Sequence, residues 1–207
     1  MKGLLRNNFF AVWANAKVFS VFMFVWGIIV VIIPAETFQM WYIMIGIVGF
    51  SVNAASGTGN EFTSRWGKYK LTLPVKRADI VKSLFLSQII WLLVGLLFSG
   101  TGITLSFLIH GCSNDQLIGM LGMFALGISI SFFMGAMFFP LLYSGGEEKS
   151  TVFLVITLLC ASGIVSVLFN VTDAAPLPGI ALSIICSVLF FALSYPLTVN
   201  IYRKKEY

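Results

Sequence analysis

Seven residues from Gly145 to Thr151, Gly-Gly-Glu-Glu-Lys-Ser-Thr, come closest in this chain to a phosphate-binding loop. The Lys-Ser pair is right, but Glu148 stands where the loop needs a glycine to let the backbone approach a phosphate. Two adjacent glutamates would also repel that phosphate, so the stretch reads as a polar turn. The other residue types that do chemistry are equally sparse. One histidine, His110, gives no metal cluster, and there is no Ser-His-Asp set. Cys112 falls in a loop, while Cys160 and Cys186 fall in separate apolar runs and read as small hydrophobes. The chain supplies neither a nucleotide site nor a catalytic constellation, and it is expected to be no enzyme and to hold no cofactor of its own.

Charge is concentrated instead in one place. The stretch EFTSRWGKYKLTLPVKRADIVK, Glu61 to Lys82, holds eight of the chain's twenty-one charged residues. Phe62, Trp66, Tyr69 and Leu73 recur at i, i+4, i+7 and i+11, one helical stripe, beside a polar stripe of Glu61, Arg65, Lys68 and Thr72. Glu61 and Arg65 stand in the favourable i, i+4 order. Gly67 weakens that helix, and Pro74 breaks it and suits the first turn of a second helix that runs on into the membrane. Such a segment either lies on anionic lipid or docks a cytoplasmic partner by its charged and aromatic face.

The elements that must position these residues follow from composition. Of 207 residues, 58% are hydrophobic and only 10% charged, against roughly 25% in a soluble domain. Long charge-free runs approach the roughly 20 residues that cross a bilayer as a helix, and the ten-residue alternation of a β-barrel is missing. The expected fold is therefore an all-α membrane protein with six spans, Lys17–Ile33, Gln39–Thr58, Ser83–His110, Gln116–Tyr143, Thr151–Val171 and Gly179–Asn200. Pro34-Ala35-Glu36 is a poor signal-peptide cleavage site, so the first run is expected to be retained. Along the chain this gives one transmembrane domain: an interfacial elbow helix over 1–16, spans over 17–58, a cytoplasmic amphipathic segment over 59–82, spans over 83–143 and 151–200, and a basic tail over 201–207.

With the N-terminus in the cytoplasm, every Lys and Arg falls on the inner side, and the outer loops keep only Glu36, Asp115 and Asp173. The positive-inside rule then puts both termini in the cytoplasm, for a multi-pass protein of the bacterial plasma membrane. No ionisable side chain but His110 lies in a span, so neither an intramembrane carboxylate relay nor a charged filter is available, which leaves a neutral pore or a carbonyl-coordinated sodium site as the open alternatives. Uphill transport would need energy from outside the chain; an energy-independent neutral channel or an assembly scaffold is the alternative. The second span carries a polar side, with Ser51, Asn53, Ser56 and Thr58, and the row Gly49, Asn53, Gly57; Gly49, Asn53 and Ser56 are candidates for a translocation path. The row Gly127, Ser131, Gly135 suits internal packing, and Pro140 and Pro196 are expected to bend spans four and six.

The residues LTLPVKRADIVKSLF, Leu71 to Phe85, resemble the signature of small ABC-2-type transporter permeases, closest to the subgroup that exports phenol-soluble modulin peptides. Leu84-Phe85 stands where that signature often has Lys-Tyr. The overall plan of elbow, six spans and basic tail is also similar. The resemblance implies that the charged stretch is a coupling helix seated in a groove of a separate ATPase. Leu73, Pro74, Arg77 and Val81 match the motif, with the aromatic stripe just upstream. It further implies two ATPase copies that bind ATP and Mg, a second permease copy or relative as dimer partner, and export of amphipathic or antimicrobial-type peptides. Membrane lipid is a further contact, and nucleic acid is not.

Overall fold

The structure, a computed structural model, describes residues 2–63, 77–145, 149–170 and 176–204. These form six helices: α1 (Lys2–Ile32), α2 (Glu36–Thr63), α3 (Arg77–His110), α4 (Asn114–Gly145), α5 (Ser150–Asn170) and α6 (Pro176–Lys204). All six are long and apolar enough to cross a membrane. At about 1.5 Å per residue, the 34 residues of α3 exceed what hydrocarbon alone requires.

One expected division has no break in the backbone to mark it. The arm over residues 1–16 and the first span are a single helix rather than an elbow followed by a span. From Leu4 to Trp26 there is no glycine or proline, so nothing interrupts the backbone ladder before Gly27.

The other ends are punctuated as the turn residues dictate. Pro34 follows α1. Gly111, at φ +81°, ends α3 in the left-handed conformation that glycine tolerates, its N–H donating to the Phe107 carbonyl at 2.9 Å. Ser113 and Gln116 then form a reciprocal capping box at the start of α4: Gln116 N–H donates to Ser113 Oγ and Ser113 N–H to Gln116 Oε1, each at 3.3 Å.

The helices alternate in direction and pack as two cores. One joins α1, α2 and α3 through Val12, Met23, Ile43, Ile47, Phe50 and Trp91. The other gathers α4, α5 and α6 with the first turns of α3 through Leu84, Phe85, Met134, Phe138, Phe139 and Phe191. Backbones approach closely between α2 and α3, where a Cβ on Gly95 would lie 3.0 Å from the Gly46 carbonyl oxygen and 3.1 Å from Ile47 Cα. The row on α4 packs internally: Gly127 against Ile47, Gly135 against Phe191 and Gln88. Hydrogen bonds stitch the bundle where small polar residues meet, as small-residue interfaces in membranes allow. Asn8 Nδ2 donates to Ser83 Oγ at 3.0 Å, and Tyr42 Oη to the Phe98 carbonyl at 3.0 Å. The outward faces stay apolar, as with Val18, Phe24, Leu108 and Leu193.

Candidate functional site

The basic ends of the helices meet at one end of the bundle, the end from which residues 64–76 leave α2 and rejoin α3. Of the expected docking residues, Arg65, Trp66, Tyr69, Leu73 and Pro74 lie outside the described residues. Glu61 and Phe62 fall in the last turn of α2, and only their backbone is described. Arg77 opens α3, which runs unbroken into the apolar part of that helix.

Arg77 is engaged within the chain. Its Nη1 donates to the carbonyls of Tyr202 and Arg203 at 3.2 and 3.1 Å, and its guanidinium stands 5.6 Å from the centre of the Tyr202 ring. These carbonyls belong to the last turn of α6, which has no helical N–H left to offer them. A cation there also complements the helix dipole. Tyr202 in turn packs on Tyr143 of α4, with ring centres 4.7 Å apart. Arg77 therefore joins the point where the charged segment re-enters the bundle to the end of α6.

The three path candidates lie along one face of α2, in the i, i+4, i+7 register. Gly49 packs under the Phe19 ring of α1 and also lines an apolar cleft of about 320 Å³ with Ile45, Val48, Leu158 and Ser162. Ser56 lines a smaller recess of about 120 Å³ with mixed walls, Gly59, Asn60, Ser150 and Thr151 beside Val52, Phe138 and Leu154. Asn53 lies between them, half-buried, and its amide nitrogen donates to the Gly49 carbonyl of its own helix at 2.8 Å. This face of α2 is thus apolar at mid-span and more polar toward the basic end, and α5 flanks it.

Sequence reasoning missed three features that depend on long-range pairing. Pro140 leaves the Ala136 carbonyl without its helical donor, and Ser194 of α6 supplies one, Oγ to O at 2.6 Å. Gln88 of α3 is 1% exposed, and neither its amide nitrogen nor its oxygen has a hydrogen-bond partner. The signal was a lone amide within an apolar run. Gln39 is buried and donates from Nε2 to Ser106 Oγ at 2.9 Å, binding α2 to α3 at the acidic end. Cys112, Cys160 and Cys186 are free thiols. Among the described residues no three of His, Cys, Asp or Glu gather as metal ligands.

The arrangement offers membrane helices, a recess of mixed polar and apolar lining and a mechanical link at one end. A sequence model of the family described as ABC-2 family transporter protein matches residues 3–203. No curated protein and no solved structure matches the chain.

Proposed function

The chain belongs to the ABC-2 family of transporter proteins and is a membrane permease of that class, and from this premise we propose that it is the transmembrane subunit of an exporter powered by a separate ATPase. That ATPase docks on Glu61, Phe62, Arg65, Trp66, Tyr69, Leu73 and Pro74, the segment between α2 and α3, while Arg77, which the sequence pattern also marks for docking, ties the segment to the end of α6. It binds the ATP and Mg²⁺, and two copies serve a pair of permeases, identical or related. Both termini face the cytoplasm of a bacterial cell, whose plasma membrane holds the helices. The cargo is an amphipathic or antimicrobial-type peptide, as in the phenol-soluble modulin exporters that the segment Leu71 to Phe85 resembles. It passes along the α2 face that carries Gly49, Asn53 and Ser56.

The observation that carries this reading is the family match over nearly the whole chain, on a sequence that has no phosphate cradle. The arrangement of charge supports it. The segment richest in Lys and Arg lies between two long helices, and Arg77 connects it to α6. A movement imposed on that segment would be felt in both halves of the bundle.

The test is purification of the tagged chain from its native membrane, followed by an ATPase assay. An ATPase should co-purify, and inside-out vesicles carrying the pair should accumulate an amphipathic cationic peptide only with ATP. The chain alone should hydrolyse none. Hydrolysis by the isolated chain, or uptake that ignores ATP, would turn the reading toward a channel or scaffold.

A further inference from the structure

At the acidic end of the bundle a cavity of about 310 Å³ is lined by Pro34, Gln39, Phe107, His110, Gly111 and Gln116. Several of its hydrogen-bonding groups are left as acceptors. Ser106 Oγ donates to the Val30 carbonyl at 3.4 Å, so its lone pair accepts from Gln39 Nε2 at 2.9 Å. That fixes the orientation of the Gln39 amide. Its carbonyl oxygen makes no hydrogen bond among the described residues, and the side chain, only 3% exposed, lines the cavity. His110 Nε2 lies 2.9 Å from the Val31 carbonyl. A carbonyl only accepts, so this nitrogen carries the proton, and in the neutral ring Nδ1 is left as an acceptor.

The donors around the cavity are partly spent: Gln39 and Gln116 each give one amide N–H away and keep one. Gln116 gives its amide N–H to Glu36 Oε1 at 2.6 Å, while its own oxygen takes the Ser113 N–H. The Gly111 N–H goes to Phe107. Glu36, bonded to Gln116 of the lining, keeps a second carboxylate oxygen. No Lys or Arg occurs between Lys17 and Arg65 or between Lys82 and Lys149, the stretches that contain these connections.

We infer that this cavity is a binding site for a primary ammonium group. Three N–H donors on one cation answer three kinds of acceptor: the Gln39 oxygen, His110 Nδ1 and the Glu36 carboxylate. Phe107 lines the same cavity. The volume exceeds an ammonium alone and leaves room for an aliphatic stem beside Pro34. A lysine side chain, a peptide amino terminus and an aminoethyl lipid headgroup all present that chemistry. The site stands at the opposite end from the docking segment and does not depend on the ATPase reading.

His110 is the only histidine in the chain, so its imidazole is a single reporter. The experiment labels histidine with ¹⁵N and places the chain in phosphatidylglycerol nanodiscs at pH 8. Methylammonium and N-acetyl-lysine methylamide are titrated, with tetramethylammonium and acetate as controls. A saturable shift of Nδ1 is expected with both primary amines and with neither control. Glu36→Gln and Gln39→Met should each weaken it about tenfold, the loss of one charge-assisted contact. Repeating the titration with phosphatidylethanolamine in the disc identifies the source. Competition points to the lipid headgroup and its absence to a soluble amine, and either keeps the ammonium assignment. A shift that is absent, equal with tetramethylammonium, unchanged in both variants, or dependent on added Zn²⁺ overturns it.

Discussion

At the scale of single residues, the bond from Ser194 to the Ala136 carbonyl shows how this chain tolerates a proline inside a membrane helix. In hydrocarbon no water can satisfy the carbonyl that Pro140 strands. The hydroxyl reaches across from α6 to do so. Ser194→Ala should therefore lower stability by about 1–3 kcal/mol, the cost of an unsatisfied buried acceptor. Pro140→Ala restores the helical N–H, and on that background Ser194→Ala should cost much less. Unfolding in detergent of the two single variants and the double variant measures the coupling. Additive effects would mean that the hydroxyl and the proline act independently. The same logic makes Gln88 notable, because no neighbour answers its amide.

At the scale of elements, the proposed docking of the segment before α3 can be separated from the contact that Arg77 makes at the first turn of α3. Docking should rest on the aromatic stripe, since interfaces concentrate energy in Trp, Tyr and Arg at about 2 kcal/mol or more each. Trp66→Ala with Tyr69→Ala should weaken ATPase co-purification at least thirtyfold, roughly 2 kcal/mol. Arg77→Gln should leave the ATPase bound yet free the end of α6, because the guanidinium is committed to Tyr202 and Arg203. Spin labels at Ala78 and Lys204, in a chain without its three cysteines, should then report a broader distance distribution. An ATPase lost in Arg77→Gln with distances unchanged would return that residue to the docking face. The elements themselves were legible in the sequence because each run of apolar residues ends at a turn signal, such as Pro34 or Gly111. The merger of the arm with α1 was less so, since Lys2, Arg6 and Lys17 suggested an interfacial segment while the backbone had no reason to break. The partner of Arg77 was not legible at all. It lies 125 residues away, and local spacing carries no information on which helix end comes to meet a given cation. Asn53 was read as a group facing a path, and its bond to Gly49 O closes within its own helix, the usual recourse of a short polar side chain.

At the scale of the whole molecule, the two ends of the bundle differ in chemistry, and that difference is the ground for the proposed orientation. Arg77 meets the last turn of α6, and Asn8 meets Ser83, at the basic end. Glu36 meets Gln116, and His110 meets the end of α1, at the other. An even number of helices returns the chain to the side on which it started, so both termini share the basic end. The proposed orientation follows from the positive-inside rule, by which Lys and Arg are retained on the cytoplasmic side. A cysteine at Asp173 should then react with an impermeant thiol reagent added to intact cells, in a chain without Cys112. A cysteine at Lys68 should react only after permeabilisation. Labelling of Lys68→Cys from outside would invert the molecule, placing the cavity at Gln39 and His110 in the cytoplasm and the docking segment beyond the reach of any ATPase.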